Sequence, residues 1–220
     1  MAMDGCVLAT APTDDIERRN YCLHGETHMW RKKGEAALPE LAGEDPYAEQ
    51  VPLSRAIPFW GAISENGYCD VVYHKTKKLS TDEWQKDALA SGKLWTAVRQ
   101  LRHSRARPFR ILCDSETFLA TRVSRVYYES KGIELLQIPP RSPDLNPIEM
   151  YWSWVRKQMR RKDLADLNAG RPALGKSATK ARLRALLKTN KAQDKAAATF
   201  LALRKKCAEV ISKKGAAIRS

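Results

Sequence analysis

The chain has 220 residues, 43% of them hydrophobic, and its 39 Lys and Arg outnumber 25 Asp and Glu for a formal net charge of +14. Six Trp and that apolar content exclude a disordered chain, and no apolar run reaches the roughly 18 residues that a membrane helix needs. All of the excess charge lies at one end: residues 1–154 carry 20 basic against 21 acidic side chains, whereas residues 155–220 carry 19 against 4.

A segment so basic seeks a polyanion, and nucleic acid is the first candidate. The length allows one domain of about 150 residues with an appendage. No basic stretch followed by an apolar run opens the chain, so no secretion leader is read. Cys6, Cys22, Cys69, Cys113 and Cys207 are odd in number and form no CxxC pair, which argues against a disulfide framework or a zinc site.

In chain order, a strand is expected from Asp4 to Thr10. A turn at Pro12-Thr13 and a short charged helix follow, with Thr13 as cap and Asp14 and Asp15 in the first turn. His24 and His28 have the i,i+4 spacing of metal ligands, but Gly25 lies between them and a third ligand is missing. Residues 36–54 lack periodicity and read as a surface loop. Ile57 to Ser64 and Tyr68 to Tyr73 read as strands joined by Glu65-Asn66-Gly67, a strong hairpin signal. Ser80 and Glu83 have capping-box spacing and open a helix to about Leu89; another runs from Leu94 to about His103.

Arg110 to Asp114 is a short apolar strand ending in an acid. A helix over 115–129, a stop at Lys131-Gly132 and a strand from Ile133 to Ile138 complete a parallel strand–helix–strand crossover. The next stretch, Pro139-Pro140-Arg141-Ser142-Pro143-Asp144-Leu145-Asn146-Pro147-Ile148-Glu149, has four prolines and forms a stiff loop. Pro147 suits the first turn of a helix, Asn146 is a candidate N-cap, and Glu149 falls where the helix dipole favours a carboxylate. Ile148, Trp152, Val155 and Met159 then repeat at helical spacing. Tyr151, Trp152 and Trp154 read as packing residues rather than stacking platforms for bases. Past Asp163 two basic helices are expected, about Ser177–Thr189 and Gln193–Lys213. In the second, Phe200, Leu203, Cys207, Val210 and Ile211 form an apolar stripe that is expected to pack back on the core.

The proline loop with its Tyr-Trp-Ser-Trp continuation closely resembles the end of the catalytic domain of Tc1/mariner-type (IS630-like) transposases, DDE-superfamily endonucleases that cut and join DNA. Met29-Trp30-Arg31-Lys32-Lys33-Gly34-Glu35 and Phe59-Trp60-Gly61-Ala62-Ile63-Ser64 resemble two further blocks of that family. The resemblance implies an RNase H-like α/β fold, a mixed sheet flanked by helices, over residues 1–162. Residues 163–220 would form a basic helical extension.

The same resemblance makes Glu149 the third metal-binding carboxylate and Asp114 the second, with the family's gap of 34 intervening residues between them. Asp4 is the favoured first carboxylate, and Asp14 and Asp15 are its rivals. The chain departs from the family after Asp114, with Ser115 and Glu116 where the family usually has Asn and often a nearby His. The family's helix-turn-helix modules precede its catalytic domain and nothing before Asp4 matches them, so the chain reads as a fragment or as the product of a decayed or repurposed element.

Three acidic ligands on separate elements suit two Mg²⁺ (or Mn²⁺) ions per site, the arrangement that in-line phosphodiester chemistry uses. Arg141, Arg156, Lys157, Arg160 and Arg161 flank this site in the sequence and are candidates for phosphate contacts. The implied partner is DNA, with a homodimer possible and with neither a membrane nor a small-molecule substrate expected. The implied location is the nucleus in a eukaryote and the cytoplasm otherwise. The competing reading keeps the fold and the basic surface as a catalytically inactive, transposase-derived nucleic-acid-binding protein.

Overall fold

The computed structural model describes residues 1–23, 52–75, 79–103, 107–139, 142 and 145–213. The Trp30 block, His24, His28 and Arg141 lie outside the described residues, as does most of the loop expected over 36–54. Five strands form one sheet: β1 (Ala2–Ala9), β2 (Ala56–Ile63), β3 (Cys69–Tyr73), β4 (Phe109–Cys113) and β5 (Ile133–Gln137), in the order β3-β2-β1-β4-β5. The hairpin expected from Asn66-Gly67 pairs β2 with β3 antiparallel, and Gly67 takes a φ of +79°, the left-handed conformation such a turn requires. β4 pairs in parallel with both β1 and β5, and α4 (Arg122–Lys131) forms the crossover between β4 and β5. The fold is therefore the mixed α/β arrangement that the sequence predicts.

Other helices are α1 (Asp15–Leu23), α2 (Thr81–Trp84), α3 (Lys93–Leu101), α5 (Pro147–Asn168), α6 (Lys176–Leu187) and α7 (Asn190–Ser212). Ser80 and Glu83 form the expected capping box on α2, and each bonds the other's backbone N–H. The chain continues as a π-helical turn over Gln85–Ala90. The single helix expected over 115–129 is split into a 3₁₀ turn, Thr117–Ala120, and α4, because Thr121 turns extended and its hydroxyl accepts from Ser124 N–H. Asp14, not Thr13, caps α1: its Oδ1 accepts from the N–H groups of Ile16 (3.0 Å) and Glu17 (2.9 Å).

Two compact units organise these elements. The larger comprises Met1–Val7, Pro58–Trp154 and Leu183–Ser220. Its core gathers Met3, Trp60, Val98, Ile111, Leu119 and Tyr128, and it contains a tight aromatic group. Trp60 lies edge-on to Phe118 at 5.1 Å and to Trp84 at 5.9 Å.

The first half of α7 packs within this unit through Ala192, Ala196 and Thr199, all buried. This differs from the expected stripe: Phe200, Leu203 and Val210 are only half-buried, and Cys207 and Ile211 are exposed. Small side chains allow the closer approach, and a Cβ on Gly67 would lie 3.0 Å from the Gln193 carbonyl.

The second unit comprises Leu8–Ile57 and Val155–Arg182, so α5 runs unbroken through residue 162 and the units divide the chain differently from a cut there. An ion network organises this unit. Arg182 pairs with Asp163 (2.7 Å) and with Asp166, and Arg171 donates to Asp166 at 2.8 Å. The buried Arg18 donates to the Arg171 carbonyl (2.7 Å) and to the Asp163 carbonyl (3.2 Å).

Candidate active site

Strand register brings the first two acids together. β1 and β4 run parallel with Ala2 opposite Leu112, so two residues further on Asp4 comes level with Asp114, just past the end of β4. Side chains two apart along a strand share a face, and neighbouring strands lie about 4.8 Å apart, so both carboxyls emerge on one side of the sheet. β1 begins at Ala2, which puts Asp4 inside a formed strand rather than at its start.

The third acid is placed by the N-terminus of α5. Pro147 opens the helix as expected and Glu149 occupies its first turn. Ile148, Tyr151 and Trp152 fix that turn, each of them fully buried. Trp152 packs edge-on against Phe59 at 5.1 Å, and it presses so closely on β2 that a Cβ on Gly61 would lie 2.5 Å from its Cζ2. Only glycine leaves room there for the indole, so a motif glycine of β2 sets how near the Glu149-bearing turn comes to the sheet. Tyr151 and Trp152 are thus packing residues, as expected.

Asn146, a candidate helix cap, has a different role. Its backbone carbonyl accepts from Glu149 N–H, but its side-chain Nδ2 donates to Asp4 Oδ2 at 2.8 Å. The other Asp4 oxygen accepts from Gly5 N–H at 2.6 Å. Nothing in the local periodicity points to this long-range contact. The one sequence signal is that a short amide side chain precedes a helix bearing a candidate metal-site acid.

Electrostatically the three acids form one group. The Asp4 carboxyl is pushed up to about 8, first by burial, then by its hydrogen bond with Glu149 and by the charges of Glu149 and Asp114; the Gly5 N–H works the other way. Asp114 is also raised by burial, opposed by its own backbone N–H, with the Glu149 charge adding to the rise and the Glu116 N–H opposing it. Burial pushes the adjacent Cys113 thiol up to about 12, which suits a small core residue and not a nucleophile.

Among the described residues, no three His, Cys, Asp or Glu side chains already stand as a metal cage. Like charges brought together repel one another, which a cation relieves. The donor set nevertheless fits a hard divalent ion. All its donors are carboxylate oxygens, and Asp114 Oδ1 is buried with no hydrogen-bond partner among the described residues.

Asp14 and Asp15 are both exposed in the second unit, where Asp14 caps α1. Arg156, Lys157, Arg160 and Arg161 lie on α5 in the same unit, with Lys157 and Arg161 exposed.

A family model described as "DDE superfamily endonuclease" matches residues 26–169. The transposable element Tc3 transposase of Caenorhabditis elegans is 37% identical over 93 residues, which is 42% of this chain and 26% of that protein. The chain therefore spans about a quarter of the length of that curated relative. Among solved structures, the Mos1 transposase catalytic domain with raltegravir and Mn superposes with a TM-score of 0.54 at 14% identity, covering 74% of this chain and 78% of that one. The Mos1 paired-end complex with the left transposon end gives 0.60 at 12% identity over 99% of this chain and 56% of that one. A mariner Mos1 paired-end complex with Mg gives 0.54 at 12% identity, with the same coverage. At these identities the likeness concerns the fold, which is RNase H-like.

Proposed function

The chain belongs to the DDE superfamily endonuclease family, and on that footing we propose that Asp4, Asp114 and Glu149 hold divalent metal for cutting and rejoining DNA. One observation carries this reading: three acids from β1, the end of β4 and the first turn of α5 form a single repelling cluster with a buried, unpartnered oxygen. Mos1 structures that share this fold were obtained with Mn or with Mg, which supports the choice of ion; two ions per site is the count that in-line phosphodiester chemistry uses.

Bound Mg²⁺ or Mn²⁺ would supply the Lewis acid that activates water or a 3′-hydroxyl and takes up charge on the departing oxygen. The protein's part is positional. β1 and β4 present Asp4 and Asp114 from a rigid sheet, and the packing of Trp152 on Gly61 holds Glu149 toward them. Arg141, Arg156, Lys157, Arg160 and Arg161 are the side chains we assign to the DNA backbone, where such contacts position the duplex without reading its sequence. The basic 155–220 segment adds affinity that falls with salt. Action on transposon ends as a pair of subunits, in the nucleus of a eukaryote, follows from the same reading. No helix among the described residues is long and apolar enough to cross a membrane.

Nicking of supercoiled DNA with Mn²⁺ or Mg²⁺ tests the proposal. Asp114→Asn and Glu149→Gln should each lower the rate by more than about 100-fold, beyond the usual cost of an outer-shell change. Equal nicking by wild type and both variants would leave only the nucleic-acid-binding role.

A further inference from the structure

We infer that Asn146 is a positioning residue of the metal site, and that its side chain serves Asp4 rather than the helix it precedes. The inference rests on the metal-site reading above and extends it to a residue outside the three acids. Asn146 is 4% exposed, a high burial for a primary amide, so its hydrogen bonds must be found within the protein. Its Nδ2 donates to Asp4 Oδ2 at 2.8 Å across 142 residues of sequence. Its Oδ1 is buried without a hydrogen-bond partner among the described residues, so the side chain forgoes the N-cap bond this oxygen could accept.

The backbone of Asn146 meanwhile accepts from Glu149 N–H at 3.2 Å. One residue thus bonds to the first acid with its side chain and to the third with its main chain. With Gly5 N–H on Oδ1 and Asn146 on Oδ2, both Asp4 oxygens are held and the plane of the carboxylate is fixed, and the hydrogen bond with Glu149 is the contact a cation would replace. Hydrogen bonds that orient ligating carboxylates in this way typically govern metal affinity by 10–100-fold.

Asn and Ser are about equal as helix caps, which separates the two roles. Asn146→Ser keeps a capping side chain but removes the amide that reaches Asp4. Mn²⁺ binding to the whole chain, followed by the loss of the free-ion EPR signal, should weaken by about tenfold in Asn146→Ser, while the melting temperature without metal stays near that of wild type. Asn146→Thr is the second variant if Asn146→Ser does not fold, with the same expectation. Asn146→Ala offers neither the amide nor a capping hydroxyl and should bind Mn²⁺ no worse than Asn146→Ser.

Wild-type Mn²⁺ affinity in the folded Ser or Thr variant would overturn the role of Asn146. So would a loss of affinity confined to Asn146→Ala. Asp114→Asn run beside them keeps the two readings apart: if it binds Mn²⁺ as wild type does, the metal site itself is refuted, whereas its failure with an unaffected Asn146→Ser refutes only this inference.

Discussion

The carboxylates along α5 fall into two groups that solve the same electrostatic problem in opposite ways. Asp163 and Asp166, toward the C-terminal end, are buried against arginines: Arg182 reaches both, Arg171 joins Asp166, and Arg18 bonds the Asp163 backbone. Burial still lifts the Asp163 carboxyl against Arg182 and Arg18, but at Asp166 the two guanidiniums outweigh burial and hold it below the ordinary range. Glu149, in the first turn, instead faces Asp4 and Asp114, so that acids meet acids where the other group meets guanidiniums. A carboxylate cluster that carries its own arginines is structural. One that has none among the described residues, and leaves an oxygen buried and unbonded among them, is the arrangement we propose takes a cation from solution.

Removing the cation from the self-sufficient cluster should have the larger effect on stability. Arg182→Met strands the buried Asp163 carboxylate and leaves Asp166 with Arg171 alone, and a loss of about 3–5 kcal/mol in chemical denaturation is expected, since breaking a buried pair on one side leaves an uncompensated charge. Mn²⁺ affinity in whatever fraction stays folded should be unchanged. A matching loss of affinity would break the distinction between the clusters.

The acidic cluster should reveal itself through pH. The folded Asp4 value of about 8 lies above the ordinary aspartate value of about 3.9, so the folded chain keeps a proton that the unfolded chain gives up. That stabilisation is complete below pH 4 and is lost as pH rises toward 8, on the order of 1 kcal/mol per pH unit between. Without metal, melting should therefore fall from pH 5 to pH 7. Added Mn²⁺ should raise it more at pH 7 than at pH 5, because protons compete with the metal. A Mn²⁺ shift independent of pH would count against the cluster as a ligand set.

The smallest expected change concerns packing. Gly61→Ala forces the Trp152 indole and the first turn of α5 away from β2, at a cost of about 1–3 kcal/mol typical of overpacking. Because that turn carries Glu149, Mn²⁺ affinity should fall along with stability, which Arg182→Met should not cause. Comparing the two variants by calorimetry and Mn²⁺ titration sharpens the contrast.

Much of the architecture was legible because its signals are local. Asn66-Gly67 specifies a turn through backbone dihedrals alone, and Ser80 with Glu83 closes a hydrogen-bonded ring within one helical turn. The spacing of Asp114 and Glu149 was legible too, through the resemblance of the proline loop to a known family. The missed features depend on which competing local state wins, or on contacts distant in sequence. Thr121 breaks the helix expected over 115–129 because its hydroxyl gains more as a cap than within a turn. The amide of Asn146 leaves its own helix for a strand 142 residues away, which no periodicity encodes. The stripe on α7 packs only in part, because helical spacing marks an apolar face but not which neighbour covers it; Phe200, Leu203 and Val210 are half-buried, while Ala192, Ala196 and Thr199 come closest by being small.

The close approach of Trp152 to Gly61 has a consequence for how this part of the chain can vary. Positions 61 and 152 share one fixed allotment of space, so a bulkier residue at one is tolerated only with a slimmer ring at the other. Change between them should be paired, with the glycine free to move only when the indole has already shrunk.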